Sequence, residues 1–251
     1  MGFRVRAFAM HLLVSAIVLG VVLGLLYVGW YRWPGWYLLG ALPVAVVLVA
    51  VDLGLGPLAT LVVANPIKPV PELRRDVLII VVIQVSALIY GATTLWNGRP
   101  LFYTFSVDRF EVVSASDIDG DEIEAARRDN PEFVPDMFSQ PRWVWAPLPD
   151  DPEERQRVVQ SAVLAGKDVI AMPKYFRRLE EARASIKEHL KTPKDLQGIP
   201  KAEIERLTPQ LNEYGAFDKV GLMLFDGPSK KAIAVVNRET LEIVAILKRE
   251  R

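Results

Sequence analysis

The chain has 251 residues, is 51% hydrophobic and lacks cysteine, and its 30 basic and 30 acidic residues cancel to zero net charge. Electroneutrality gives no argument for nucleic acid as a partner, nor for an unusually acidic one. The absent thiols exclude cysteine nucleophiles, disulfide exchange and thiolate metal centres; a soluble part of about 150 residues buries enough surface to fold without disulfides.

Three apolar stretches come first: Phe8 to Tyr31, Tyr37 to Ala64 and Val77 to Leu95. At about 1.5 Å rise per residue, each is long enough to cross a hydrocarbon core about 30 Å thick as a helix. Arg4 and Arg6 precede the first stretch, and Lys68, Arg74 and Arg75 lie between the second and third, whereas the turn around Trp33-Pro34-Gly35-Trp36 has only Arg32. Lys and Arg near a span tend to stay in the cytoplasm, so the N-terminus is expected inside and everything after Leu95 outside. Trp30, Tyr31, Trp33, Trp36 and Tyr37 gather at the outer turn, with Trp96 on the third stretch, as amphipathic rings do at headgroup level. The first stretch is expected to remain as an anchor, because its core is too long for a signal peptide and Gly29-Trp30-Tyr31-Arg32 lacks a small-residue cleavage pattern.

Beyond Asn97 the chain turns charged and proline-punctuated. The organisation expected is a three-helix membrane region over 1–96 and a periplasmic α+β domain over 97–251, closed by an antiparallel C-terminal sheet. Leu101 to Phe105 and Val107 to Val113 read as strands, rich in aromatic and β-branched residues. Asp119 or Gly120 starts a short helix through Arg127 with acids in its first turn. Prolines 131, 135, 141, 147 and 149 then break the chain, leaving Arg142 to Ala146 as one short strand. Asp150 or Asp151, Pro152, Glu153 and Glu154 form a helix start, and Val158, Val159, Ala162 and Val163 give that helix a buried face until Gly166. Phe176, Leu179, Ala182, Ile186 and Leu190 draw a second amphipathic helix. Pro200 opens a third, which Pro209 is expected to end or kink. Val220 to Phe225, Ala232 to Val236 and Leu241 to Leu247 follow as a three-stranded meander, with the helices expected on one face of the sheet.

Asp52 is the most unusual position, a carboxylate near mid-span followed by Leu53-Gly54-Leu55-Gly56-Pro57. A charge at that depth costs several kcal/mol unless protonated or paired. Counting residues from the span ends puts Tyr90 at the same depth and Gln84 more than one turn nearer the cytoplasm, so Tyr90 is the first expected hydrogen-bond partner and Gln84 the second. Two readings stand: a protonated packing element beside close-approach glycines, or a polar notch where another membrane helix docks. Catalytic patterns are scarce. His11 and His189 fall on opposite sides of the membrane, and no Ser-His-Asp set, H-E-x-x-H helix or phosphate-cradling loop is present, so neither catalysis nor a cofactor is expected. Asp117, Asp119, Asp121 and Glu122 lack the remaining ligands of a calcium loop and read as a solvated turn. The aromatics of Arg142 to Trp145 and Phe133 to Phe138 read either as core or as an exposed gripping patch.

His11-Leu12-Leu13-Val14-Ser15, Asp52-Leu53-Gly54-Leu55-Gly56-Pro57-Leu58 and Gln84-Val85-Ser86-Ala87-Leu88-Ile89-Tyr90-Gly91, extended by Gly98-Arg99-Pro100 and Val107-Asp108-Arg109-Phe110-Glu111, resemble the type IV pilin accessory proteins, the TfpX/TfpZ family. The resemblance covers residues 4 to 113, with further similarity in the terminal meander. It implies a bacterial inner-membrane protein that supports the stability or assembly of a particular pilin subunit, with no catalytic residues. A pilin waits in the membrane as one long apolar helix with an acidic residue near its start and a head outside, and two contacts on one molecule reinforce each other. Chemistry points to Asp52, Gln84 and Tyr90 within the membrane and Arg99, Asp108 and Arg109 at its outer edge as the partner-binding set. Arg99 and Asp108 are equally readable as a structural ion pair. The rival readings are a periplasmic sensor that signals through a separate cytoplasmic partner, and an oligomeric transporter using Asp52 as its ion site.

Overall fold

The computed structural model of the chain describes residues 2–192, 195, 199–214 and 219–249. The chain divides into two compact units, Met1–Arg32 with Ala41–Gly98, and Trp33–Gly40 with Arg99–Arg251.

Three helices, each long and apolar enough to cross a membrane, make the first unit: α1 (Phe3–Gly29), α2 (Ala41–Val63) and α3 (Val70–Asn97). The exposed side chains of Leu13, Ile17, Val21 and Leu25 leave α1 apolar on its outer surface, as a helix solvated by lipid requires. In α3 the buried residues are Gln84, Gly91 and Leu95. These recur at seven and four residues, about two turns and one turn, so they form a single stripe. Along that stripe α3 meets α2 closely: a Cβ on Gly91 would lie 2.5 Å from Leu48. At one end of the unit Trp30 and Trp96 meet edge to face at 5.0 Å, and the Tyr31 hydroxyl donates to the Leu95 carbonyl at 2.8 Å.

The second unit is built on a seven-stranded sheet of order β4-β3-β1-β2-β5-β6-β7. β1 (Pro100–Ser106) and β2 (Arg109–Ser114) form a hairpin, α4 (Gly120–Asp129) follows, and β3 (Arg142–Trp145) pairs parallel with β1. α5 (Pro152–Ala165) starts where the sequence places it: the Asp151 carboxylate accepts from the Glu154 N–H at 2.8 Å, and Gly166 closes the helix at φ 67°. The amphipathic run from Phe176 is not one helix. Pro173 and its neighbours form 3₁₀ turns, Arg177–Arg178 make the two-residue strand β4, and only Arg183–His189 form a helix, α6. α7 (Lys201–Glu213) does not end at Pro209; the lost N–H and the ring's clash with the preceding turn cost about 3 kcal/mol, which the burial of Leu207 and Leu211 offsets. β5 (Val220–Asp226), β6 (Lys231–Asn237) and β7 (Ile243–Lys248) are the expected meander. They continue the first sheet, because β5 pairs parallel with β2.

Side-chain alternation sorts the core, and it places helices on both faces of the sheet rather than one. On one face Tyr103, Phe105, Phe110, Met223, Phe225 and Ala234 pack with Ala182, Ile186 and Leu190 of the α6 region and with Leu38. On the other, Phe102, Val113 and Val144 pack with Val158 of α5, and Leu222, Ile233 and Val235 with Leu207 and Leu211 of α7. The central strands are apolar on both sides, with β6 buried from Ala232 to Val236, and such a strand demands two covers.

Leu38, which hydropathy places in the second span, lies instead in the short connection between α1 and α2 and is fully buried in this core. The β5–β6 turn wraps it: the N–H groups of Ser229 and Lys230 both donate to the Leu38 carbonyl at 3.2 Å. Gly227 is required there, since a Cβ would sit 2.6 Å from that carbonyl oxygen.

Candidate functional site

The site is assembled around a defect in α2. Residues Ala50–Leu55 form a π-helical turn, in which the Gly56 N–H bonds back to the Val51 carbonyl. The Asp52 carbonyl then needs the N–H five residues on, but position 57 is proline and has none. Gln84 of α3 fills the vacancy, its Nε2 donating to the Asp52 carbonyl at 3.1 Å. The approach depends on Gly56, where a Cβ would lie 2.0 Å from the Gln84 amide nitrogen. The Gly-Leu-Gly-Pro sequence is therefore a device that opens one carbonyl and clears room for its partner.

The same glutamine continues into α1. His11 Nε2 lies 2.7 Å from Gln84 Oε1, and since that oxygen only accepts, the imidazole donates. Its Nδ1 lies 2.5 Å from the Thr60 hydroxyl of α2. One chain of hydrogen bonds thus ties all three helices together. The Asp52 side chain is 4% exposed, and its Oδ1 is buried without a hydrogen-bond partner.

This cluster floors a groove of 430 Å³. Ala7, Met10, Val14 and Val18 of α1 form one wall, and Val77, Val81, Val85 and Leu88 of α3 the other. The acid is thus covered but not sealed. The groove presents an apolar, lipid-compatible trough with a polar base, and an unused acceptor oxygen in hydrocarbon calls for a donor.

Tyr90, the first expected partner of Asp52, is not in this site. It is 77% exposed, because it lies about 120° around α3 from the Gln84–Gly91 stripe. Residue counting ranks depth but ignores helical phase, and phase favours Gln84. His11 and Thr60 are the participants the sequence reading missed. His11 lies eight residues into α1 and shares a stripe with Ser15 and Val18, four and seven residues on, all three lining the groove. That polar i, i+4 pair on an apolar helix was the available signal.

The three residues expected at the membrane's outer edge do not form one site. Arg99 precedes β1, while Asp108 and Arg109 occupy the far end of the β1–β2 hairpin, one seven-residue strand away, about 23 Å at 3.3 Å per residue. An Arg99–Asp108 pair is therefore excluded. Asp108 instead accepts from its neighbour Arg109 at 2.9 Å, and Arg109 also reaches Asp226 at 3.4 Å, which in turn meets Lys231 at 3.2 Å. Hydrogen bonding to Asp108 pushes the Arg109 guanidinium further up, while burial pushes the neighbouring Glu111 carboxyl up. Of the aromatics, Trp143 packs with Tyr103 at 4.8 Å and Phe110 at 5.3 Å, and Phe133 is buried, whereas Phe138 is 76% exposed. Asp117 closes a capping box, accepting from the Ser114 N–H and hydroxyl at 2.7 Å. Among the described residues, no group of His, Asp and Glu is placed to hold a metal ion.

The geometry defines a polytopic membrane protein with a hydrogen-bonded polar cluster inside its helical bundle and a folded α+β domain. Over 192 residues the chain is 31% identical to the fimbrial assembly protein of serogroup I from Dichelobacter nodosus, covering 74% of this chain and 72% of that protein. It is 30% identical, with the same coverage, to the serogroup E1 protein of that organism, and 32% identical over 124 residues to the protein of serogroups C1 and C2, covering 49% of this chain and 95% of that one. The chain belongs to the family of fimbrial assembly proteins. No family model and no solved structure matches it.

Proposed function

We propose that this chain is an inner-membrane accessory protein of the TfpX/TfpZ kind that binds a cognate type IV pilin subunit, stabilises it in the bilayer and supports pilus assembly without catalysing a reaction. A role in pilus biogenesis accords with the names of its relatives. The loop charges favour a cytoplasmic N-terminus and a periplasmic α+β domain. The observation that carries the pilin reading is the groove between α1 and α3, whose apolar walls end on the unpartnered Asp52 Oδ1. A transmembrane helix laid there covers the walls and brings a hydrogen-bond donor to the carboxyl group, and both contributions favour association in lipid. Arg99, Asp108, Arg109 and Tyr90 remain candidate contacts to other parts of the partner.

Site-specific photocrosslinking in intact, piliated cells tests this. Probes at Met10 and Val81, in the groove walls, are expected to capture the pilin, whereas probes at Leu25 and Ile79, exposed but outside the groove, capture roughly fivefold less or none. Asp52→Leu should leave membrane insertion and protein level unchanged and abolish the pilin adduct. Equal capture from all four positions, or an undiminished adduct with Asp52→Leu, refutes the groove as the docking site.

A further inference from the structure

β7 is the last strand of the sheet. The Arg249 N–H donates to the Lys231 carbonyl at 3.0 Å, and Leu247 and Ala245 stand opposite Ile233 and Val235, so the odd-numbered residues turn their backbone groups to β6. By the alternation of an antiparallel ladder, Ile246 and Lys248 turn theirs outward. Among the described residues, no strand pairs with that side.

Free strand edges are normally guarded, often by a lysine. Here the guard is engaged elsewhere: Lys248 Nζ sits 5.3 Å from the ring of Trp33, 5.1 Å from Trp36 and 5.4 Å from Tyr37. The Tyr37 hydroxyl donates to the Arg249 carbonyl at 2.7 Å and fixes that arrangement. Alongside the edge runs a groove of 760 Å³, bounded by β7 from Ile243 to Ile246, by Leu179 and Ile186 opposite, and by Trp143 and Tyr214. Its charged rim is mixed, with Glu180 and Glu242 against Arg183, and Arg183 already donates to the Thr240 carbonyl at 3.1 Å.

We propose that this recessed edge takes an extended, largely apolar segment of a protein partner as an added strand of the sheet. Outward N–H and C=O groups are satisfied by another extended backbone and not by a helix, whose own groups are spent internally. The register shift that makes Val244 an extra residue opposite β6 works against edge-to-edge pairing of two copies and favours a separate strand. With few charges on its rim, the groove selects by shape and alternation, with apolar side chains at every second position. That the partner is the pilin, contributing a segment of its head, rests on the function proposed above.

Hydrogen exchange on the full-length chain in lipid nanodiscs, with and without purified pilin of the host, tests the inference. Binding should slow exchange of the Ile246 and Lys248 amides roughly tenfold or more, with little change at Ala245 and Leu247, which are already paired. Ile246→Pro removes one outward donor without touching the β6 ladder, and should cancel the protection at Lys248 while Ile246→Thr keeps it. Pilin retained on the nanodiscs with unchanged exchange at Ile246 and Lys248 overturns the edge proposal alone. Failure of the unmodified chain to retain pilin overturns the pilin reading and the proposal that rests on it.

Discussion

Glu111 stands on β2 between unlike neighbours. Burial raises its pKa first, Asp168, Asp226 and Asp108 add to the rise, and Arg109 opposes it. The folded chain therefore holds this proton more tightly than the unfolded chain. As pH climbs from the ordinary carboxylate range through the raised value, the unfolded state loses its proton first, so stability falls across that window and stays lower above it. Glu111→Gln is expected to raise the melting temperature at pH 7, and the gain should vanish as pH falls below the ordinary carboxylate range, where both states are protonated. Melting curves of the two proteins that coincide at every pH would contradict this. Nothing in the sequence marks Glu111 apart from other glutamates, because its environment comes from β5 and from the turn holding Asp168, both more than fifty positions away.

A helix that crosses lipid cannot leave a carbonyl open, and α2 opens one at Asp52 through the π turn and Pro57. Gln84 closes it across the α2–α3 contact, so the break in one element is matched by a polar residue in another. Gly56→Ala forces Gln84 away, leaving the Asp52 carbonyl and His11 without their partner, and should destabilise the helical unit by about 1–3 kcal/mol. Thermal unfolding in detergent measures the loss. Gly91→Ala is the control, since it collides with Leu48 and disturbs packing but leaves the hydrogen-bonded chain in place. If only the first variant also loses the pilin crosslink from Met10, the polar chain and not mere helix packing prepares the groove. The break was legible as Asp-x-Gly-x-Gly-Pro, and Gln84 stood second among its expected partners; the ranking failed because counting along a helix gives depth while only the packed bundle gives direction.

At the scale of the molecule, the connection between the first two spans belongs to the α+β unit, where Leu38 is fully buried. Sequence hydropathy absorbs Tyr37 to Ala64 into one span and so hides this, since an apolar residue bound for a domain core looks like one bound for lipid. Leu38→Ala is expected to cost about 2–5 kcal/mol of domain stability, read as a fall in the melting transition of the full chain in detergent. Leu42→Ala, exposed on α2, should change it by no more than about 0.5 kcal/mol. Equal effects of the two substitutions would show that the connection contributes nothing to that core.

Hydropathy and turn chemistry alone determined the three spans, the helix opened by Asp151-Pro152 and closed by Gly166, and the terminal meander, because each depends on neighbours within a few residues. The covering of both sheet faces, the joining of β5 to β2, the separation of Arg99 from Asp108 and the choice of Gln84 over Tyr90 were decided only by the tertiary structure. Each of these turns on which side of an element faces which neighbour, and that direction is set by long-range packing that a linear pattern does not contain.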